Sequence, residues 1–146
     1  MNSFRENQAF APFVYALMAG TILLMVLLPG PKYMNAIPVV LLTLTSNLLY
    51  VRTSVDRRDI RVQFGFAFPY YVRTIPIDTV ASAAAITYSP LAEYGGWGIR
   101  GFGDRVALNA RGDRGVLLTL RTGATILIGS QRAEELAAAI DEAKKS

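Results

Sequence analysis

Two uncharged apolar runs stand back to back near the start of the chain. Phe10 to Leu28 (FAPFVYALMAGTILLMVLL) and Ala36 to Val51 (AIPVVLLTLTSNLLYV) hold no Asp, Glu, Lys or Arg, and Pro29-Gly30-Pro31-Lys32 breaks them apart. As helices they would reach roughly 28 and 24 Å, close to one hydrocarbon core. A cleaved leader is the competing reading of the first run. Its length, Arg5 offset by Glu6, and a Pro-Gly-Pro end in place of an A-x-A site favour a retained anchor. The expected layout is an N-terminal segment over 1–9, a transmembrane hairpin over 10–51 (helices 10–28 and 34–51), and a domain over 52–146.

The flanks set an orientation. Lys32 is the one charge between the runs, whereas Arg52, Arg57, Arg58 and Arg61 follow the second closely. The positive-inside rule then places both termini and the domain in the cytoplasm of a cell-membrane protein, with these four arginines as candidates for the lipid interface. In the second run Thr43, Ser46, Asn47 and Tyr50 share a helical face. An amide facing lipid is costly, so this stripe should meet another helix, and Ala16 and Gly20 form a small-residue notch able to receive it. Packing within the hairpin and contact with another subunit both satisfy that pattern. Neither run carries an acid or base suited to transport.

Beyond Arg52 the apolar period changes to two. Ile60, Val62, Phe64 and Phe66 alternate with polar or small residues, as do Val106, Leu108 and Ala110, then Val116, Leu118 and Leu120, then Ile126 and Ile128. Val72 to Ile77, interrupted by Pro76, suits an edge strand, and Val80 to Tyr88 is read as extended. Arg111 to Gly115 and Arg121-Thr122-Gly123 read as hairpin turns. These features predict a meander of antiparallel strands curled into a small sandwich or partial barrel. Ser130 is the expected N-cap of a helix over about 131–145, whose narrow stripe Ala133, Leu136, Ala137 and Ile140 would cap the sheet.

The inventory of reactive side chains is short. The sequence has no cysteine and no histidine, which removes the commonest general base and metal ligand. No Ser or Lys sits in a nucleophile motif, and Asp56, Asp59, Asp104 and Asp113 read as turn residues. No enzymatic activity, cofactor or metal is expected. A net charge of +4 is too mild for a nucleic-acid footprint.

One segment departs from ordinary sheet protein: YSPLAEYGGWGIRG, from Tyr88 to Gly101, with the single tryptophan. Gly96, Gly98 and Gly101 match G-x-G-x-x-G mechanically, but strands follow where a dinucleotide fold needs a helix. Two readings stand. Trp97 is a plug whose indole N–H needs an acceptor, or Tyr94, Gly95, Gly96, Trp97, Gly98 and Arg100 form a binding surface for a partner or anion.

YSPLAEYGGWGIR, RGDRGVLLTL and IGSQRAEELAAAI, together with the two runs, resemble small bacterial membrane proteins that carry a pleckstrin-homology-like (PH-like) domain. The resemblance covers about Thr53 to Ala143, and departs where the family has proline in place of Ala133. It implies two nearly orthogonal antiparallel sheets closed by a C-terminal helix, so that the whole reads as a membrane-anchored α+β chain. It brings no activity with it. The function expected on this basis is a membrane-tethered interaction module that recruits a protein partner or a second copy. Recognition of anionic phospholipid, or a place as accessory subunit of a larger membrane complex, are the alternatives.

Overall fold

The computed structural model describes residues 4–10, 12–28, 40, 47 and 50–145. Along the chain run β1 (Phe4–Ala9), α1 (Pro12–Leu27), β2 (Tyr50–Val55), β3 (Asp59–Phe64), β4 (Tyr71–Pro76), a 3-10 turn (Ile77–Thr79) and β5 (Val80–Thr87). They are followed by α2 (Pro90–Tyr94), β6 (Gly98–Phe102), β7 (Arg105–Asn109), β8 (Arg114–Leu120), β9 (Thr125–Gly129) and α3 (Ala133–Ala143). The strands form two sheets, one ordered β1-β2-β3-β4 and the other β5-β8-β9-β7-β6.

The first sheet is antiparallel throughout. Val51, Val55, Ile60, Val62, Phe64 and Ile75 point inward, and the outward positions carry Arg52, Arg61 and Gln63. β4 ends on Pro76 at the sheet edge, where a missing N–H leaves no ladder bond unmade. The segment 1–9, expected to lie outside the domain, contributes β1. Its inward side chains are Phe4, Glu6 and Gln8.

The pairing of β1 with β2 sets Ala9 opposite Tyr50. The chain therefore leaves the sheet after Ala9 and rejoins it at Tyr50, in the neighbouring strand. This corrects the expected two-helix transmembrane hairpin. Pairing draws Tyr50 and Val51 into a strand, and α1 holds 16 residues. Such a helix rises about 24 Å, below the ~20 residues a span requires. Among the described residues no helix is long and apolar enough to cross a membrane. The multi-pass cell-membrane placement and its inside–outside orientation fall with the hairpin. Most of the second apolar run lies outside the described residues.

The second sheet corrects the expected meander. β5 pairs with β8, β8 with β9, and β6 with β7, all antiparallel, but β7 and β9 run parallel. β9 thus lies between β7 and β8, and Arg111 to Gly115 is a crossing connection, not a hairpin turn. Arg121-Thr122-Gly123 does close a hairpin, with Gly123 at φ +89° and its N–H donating to Leu120 O at 2.9 Å.

Both sheets and α3 share one core. Val116, Leu118, Ile126, Ile128 and Leu108 meet the inward side chains of the first sheet, and Ala133, Leu136 and Ile140 close it. Fully burying Leu136 or Ile140 is worth about 2 kcal/mol each. The outer face of the second sheet carries a smaller cluster of Tyr88, Ala107 and Leu127, with Ile86, Tyr94 and Leu117 packed against it. β9 is therefore buried on both faces. The molecule is a β-sandwich with a C-terminal helix, and the segment after β5 lies over its second sheet.

Candidate functional site

Local chemistry shapes the loop between β5 and β6. The Ser89 hydroxyl caps α2 by accepting from Ala92 N at 3.4 Å, Glu93 Oε1 accepts from Ser89 N at 2.7 Å, and Pro90 starts the helix. Gly95, left-handed at φ +69°, ends it after five residues. Gly96 and Gly98 follow at φ +128° and +109°. This run of positive φ, open to glycine alone at low cost, turns the chain back into β6.

Trp97 is half-buried and its indole Nε1–H donates to Gly112 O at 3.0 Å. The acceptor that a plug requires is thus present, on the crossing connection between β7 and β8. Arg100 Nε donates to Trp97 O at 3.0 Å, and its guanidinium lies beside the Gly96 backbone. A Cβ at Gly96 would come within 3.3 Å of Arg100 Nη2. Tyr94 is taken up by the sheet: its ring meets Tyr88 edge-on at 5.9 Å, and the Arg105 guanidinium stands 5.1 Å above it. Arg105 also reaches Glu93 at 3.9 Å.

Asn109 fastens the loop from below. It is fully buried, its Nδ2 donates to the Tyr88 hydroxyl at 2.9 Å, and its Oδ1 accepts from Gly98 N at 2.8 Å. Burial raises the Tyr88 phenol above the ordinary tyrosine range, and the Asn109 hydrogen bond opposes that shift without cancelling it. A raised folded-state value means that the neutral phenol's contribution is complete below the unfolded tyrosine pKa. It is lost as pH climbs through the folded one. Alkaline unfolding curves should therefore fall more steeply for the native chain than for Tyr88→Phe. Parallel curves would show that Tyr88 ionises without consequence.

Among the described residues no strand pairs with the outer side of β6. β6 is the last strand of its sheet, and every residue after Gly98 is exposed. The ladder sets Arg100 beside Ala107 and Phe102 beside Arg105, so Arg100 and Phe102 share a face. Phe102 is 97% exposed and Leu91 on α2 68%. Sequence reasoning passed over both. The signal available was Phe102 itself, a large apolar residue between Gly101 and Gly103, where a turn has no core to fill.

The remaining candidates are dispersed. Arg52 and Arg61 lie on the outer face of the first sheet, where Arg52 Nε donates to Asn7 Oδ1 at 3.0 Å. Arg57 and Arg58 occupy the β2–β3 turn. Asn47 meets the β3–β4 loop: its Oδ1 accepts from Ala67 N (2.7 Å) and Phe68 N (3.1 Å), and its Nδ2 donates to Phe68 O (2.9 Å). The peptide groups of that loop answer the amide, where a helix was expected. Thr43 and Ser46 lie outside the described residues. On α1, which buries no residue, Ala16 is exposed and nothing described lies within 4 Å of a Cβ placed on Gly20. No three or more Asp and Glu side chains gather into a metal-binding group among the described residues. No family model matches the chain, and no curated protein matches it.

Proposed function

We propose that the chain is a non-enzymatic, PH-like module that recruits or assembles protein partners through the β6 edge and the Gly-Trp loop. Two sheets around one core and a C-terminal helix closing it support the PH-like reading. The parallel β7–β9 pair departs from the all-antiparallel sheets of that resemblance. The lack of His and Cys, and of any nucleophile motif, supports a binding role over catalysis.

The observation that carries this reading is the outer edge of β6, unpaired among the described residues, with Arg100 and Phe102 on one face. An exposed strand edge offers N–H and C=O groups to an extended segment of another chain, and alternate side chains then select it. Arg and aromatic residues are the types that dominate interface energies. Trp97, held by Gly112, keeps the loop in shape, which lowers the ordering cost of binding.

Pull-down with the full chain as bait tests it. Phe102→Asp and Arg100→Glu should each cut partner recovery roughly tenfold or more, while Arg61→Glu on the other sheet leaves it unchanged. Equal recovery from all three, with far-UV spectra preserved, removes the binding role. A second copy as the partner would appear as concentration-dependent dimers lost in Phe102→Asp.

A further inference from the structure

A cavity of about 490 Å³ lies where the two sheets and the end of α3 meet. Arg57 and Arg58 from the β2–β3 turn, Arg121 from the β8–β9 turn and Lys144 after α3 line it, against two carboxylates, Asp59 and Asp78. Its apolar lining is Pro76, Ile77, Val80 and Ala143, of which Ile77 and Val80 are buried. This volume suits a small molecule. Four cations against two anions favour a negative ligand, and outweigh the partial negative charge that the C-terminal end of α3 brings.

The walls are fixed before any ligand arrives. Ile77 N donates to Arg58 O at 2.7 Å, and Arg121 N to Thr79 O at 2.8 Å. Arg121 Nε donates to Asp78 O, and Lys144 Nζ to Ala81 O, both at 2.7 Å. The 3-10 turn is thereby tied to the β2–β3 and β8–β9 turns, and Lys144, just after α3, to the start of β5. Three of these cations, Arg58, Arg121 and Lys144, form no ion pair among the described residues. Among the described residues neither Asp59 nor Asp78 pairs with Arg58, Arg121 or Lys144. Arg121 uses Nε on a backbone carbonyl, so its two terminal nitrogens remain for a ligand.

We infer that this cavity binds a small organic phosphate. Planar guanidinium forks match phosphate oxygens in pairs, and Lys144 adds a point charge. Asp59 and Asp78 are then acceptors for hydroxyl groups of the ligand, and its uncharged body lies on Ile77 and Val80. The site stands apart from the β6 edge and does not depend on the partner reading.

A free sugar phosphate and a phospholipid headgroup share this chemistry, so the test has two arms. Calorimetric titration of the full chain with ribose 5-phosphate should show saturable binding that weakens about tenfold in Arg58→Gln and in Arg121→Gln and is unchanged in Arg61→Gln. Sedimentation with phosphatidylglycerol vesicles examines the headgroup. Binding there with the same dependence, and none to ribose 5-phosphate, assigns the phosphate to a lipid. Arg58 makes no side-chain hydrogen bond or ion pair among the described residues, so Arg58→Gln should melt with the native chain and keeps the test readable. Binding in neither arm, or binding indifferent to Arg58→Gln and Arg121→Gln, overturns the inference.

Discussion

Replacing Phe64 by alanine should lower the unfolding free energy by about 3–5 kcal/mol. Phe64 is completely buried at the end of β3, with the Tyr71 ring edge-on at 5.9 Å and the Tyr70 ring at 6.2 Å. Truncation removes the transfer energy of a whole ring and leaves a hole that rigid sheet backbone refills poorly. Against the 5–15 kcal/mol typical of a domain, that is a large fraction. Phe66, two residues on, is 64% exposed and meets Tyr50 at 5.2 Å, so Phe66→Ala should cost under about 1 kcal/mol. Urea unfolding of both variants at constant m-value checks the contrast. Equal losses would mean that the core boundary at Gly65 is misplaced.

That contrast shows where alternation stops being informative. Ile60, Val62, Phe64 and Phe66 are indistinguishable by period, yet the strand ends before the last of them. Gly65 takes φ +104° and a Cβ there would lie 2.3 Å from Phe68 O, so the chain bends into a tight turn that only glycine accommodates. β7, β8 and β9 were legible because apolar residues recur at every second position, whereas β6 was read as part of the glycine-rich loop. Their order was not: whether β9 joins β7 or only β8 depends on pairing across the sheet, which no local pattern records. β1 was invisible for the opposite reason. FRENQA turns Glu6 and Gln8 inward, so its polar residues stand where a strand pattern requires apolar ones. The second apolar run was read by hydropathy alone, without the pairing that takes Tyr50 and Val51 into β2.

The candidate site was legible in part. Clustered glycines flagged the loop, and the need of the indole for an acceptor was foreseen. Which carbonyl answers it, Gly112, depends on a connection fifteen residues away. Tyr94 looked like a contact residue, but its ring covers the outer face of the sheet beside Tyr88. The basic cavity was unreadable for a simpler reason: its cations come from three separate segments, and only the fold brings Arg58, Arg121 and Lys144 to one place.

The second large effect is expected at Glu6. Glu6→Ala should destabilise the chain by about 3 kcal/mol. Its side chain is 8% exposed and holds the start of α3: Oε2 accepts from the Ser130 hydroxyl at 2.5 Å and Oε1 from Gln131 N at 2.9 Å. Ser130 is the residue expected to cap the helix. It instead donates to Glu6 and accepts from Arg132 N at 3.0 Å, and the helix begins three positions later, at Ala133. Alanine at position 6 would leave a buried hydroxyl and a peptide N–H without their acceptor, a cost beyond the bonds themselves. The same strand is clasped twice more. The Arg132 guanidinium stands 5.1 Å from the Phe4 ring centroid, and Gln8 Nε2 donates to Gly129 O at 2.9 Å. Loss of Glu6 should therefore loosen β1 as a unit, and its amides should exchange with solvent faster than those of β3. In a double-mutant cycle Glu6→Ala and Ser130→Ala should couple by roughly 1–2 kcal/mol, because either change alone breaks the shared bond. Additive losses, or β1 amides protected as in the native chain, would show that the strand is held by its ladder with β2 and not by the carboxylate.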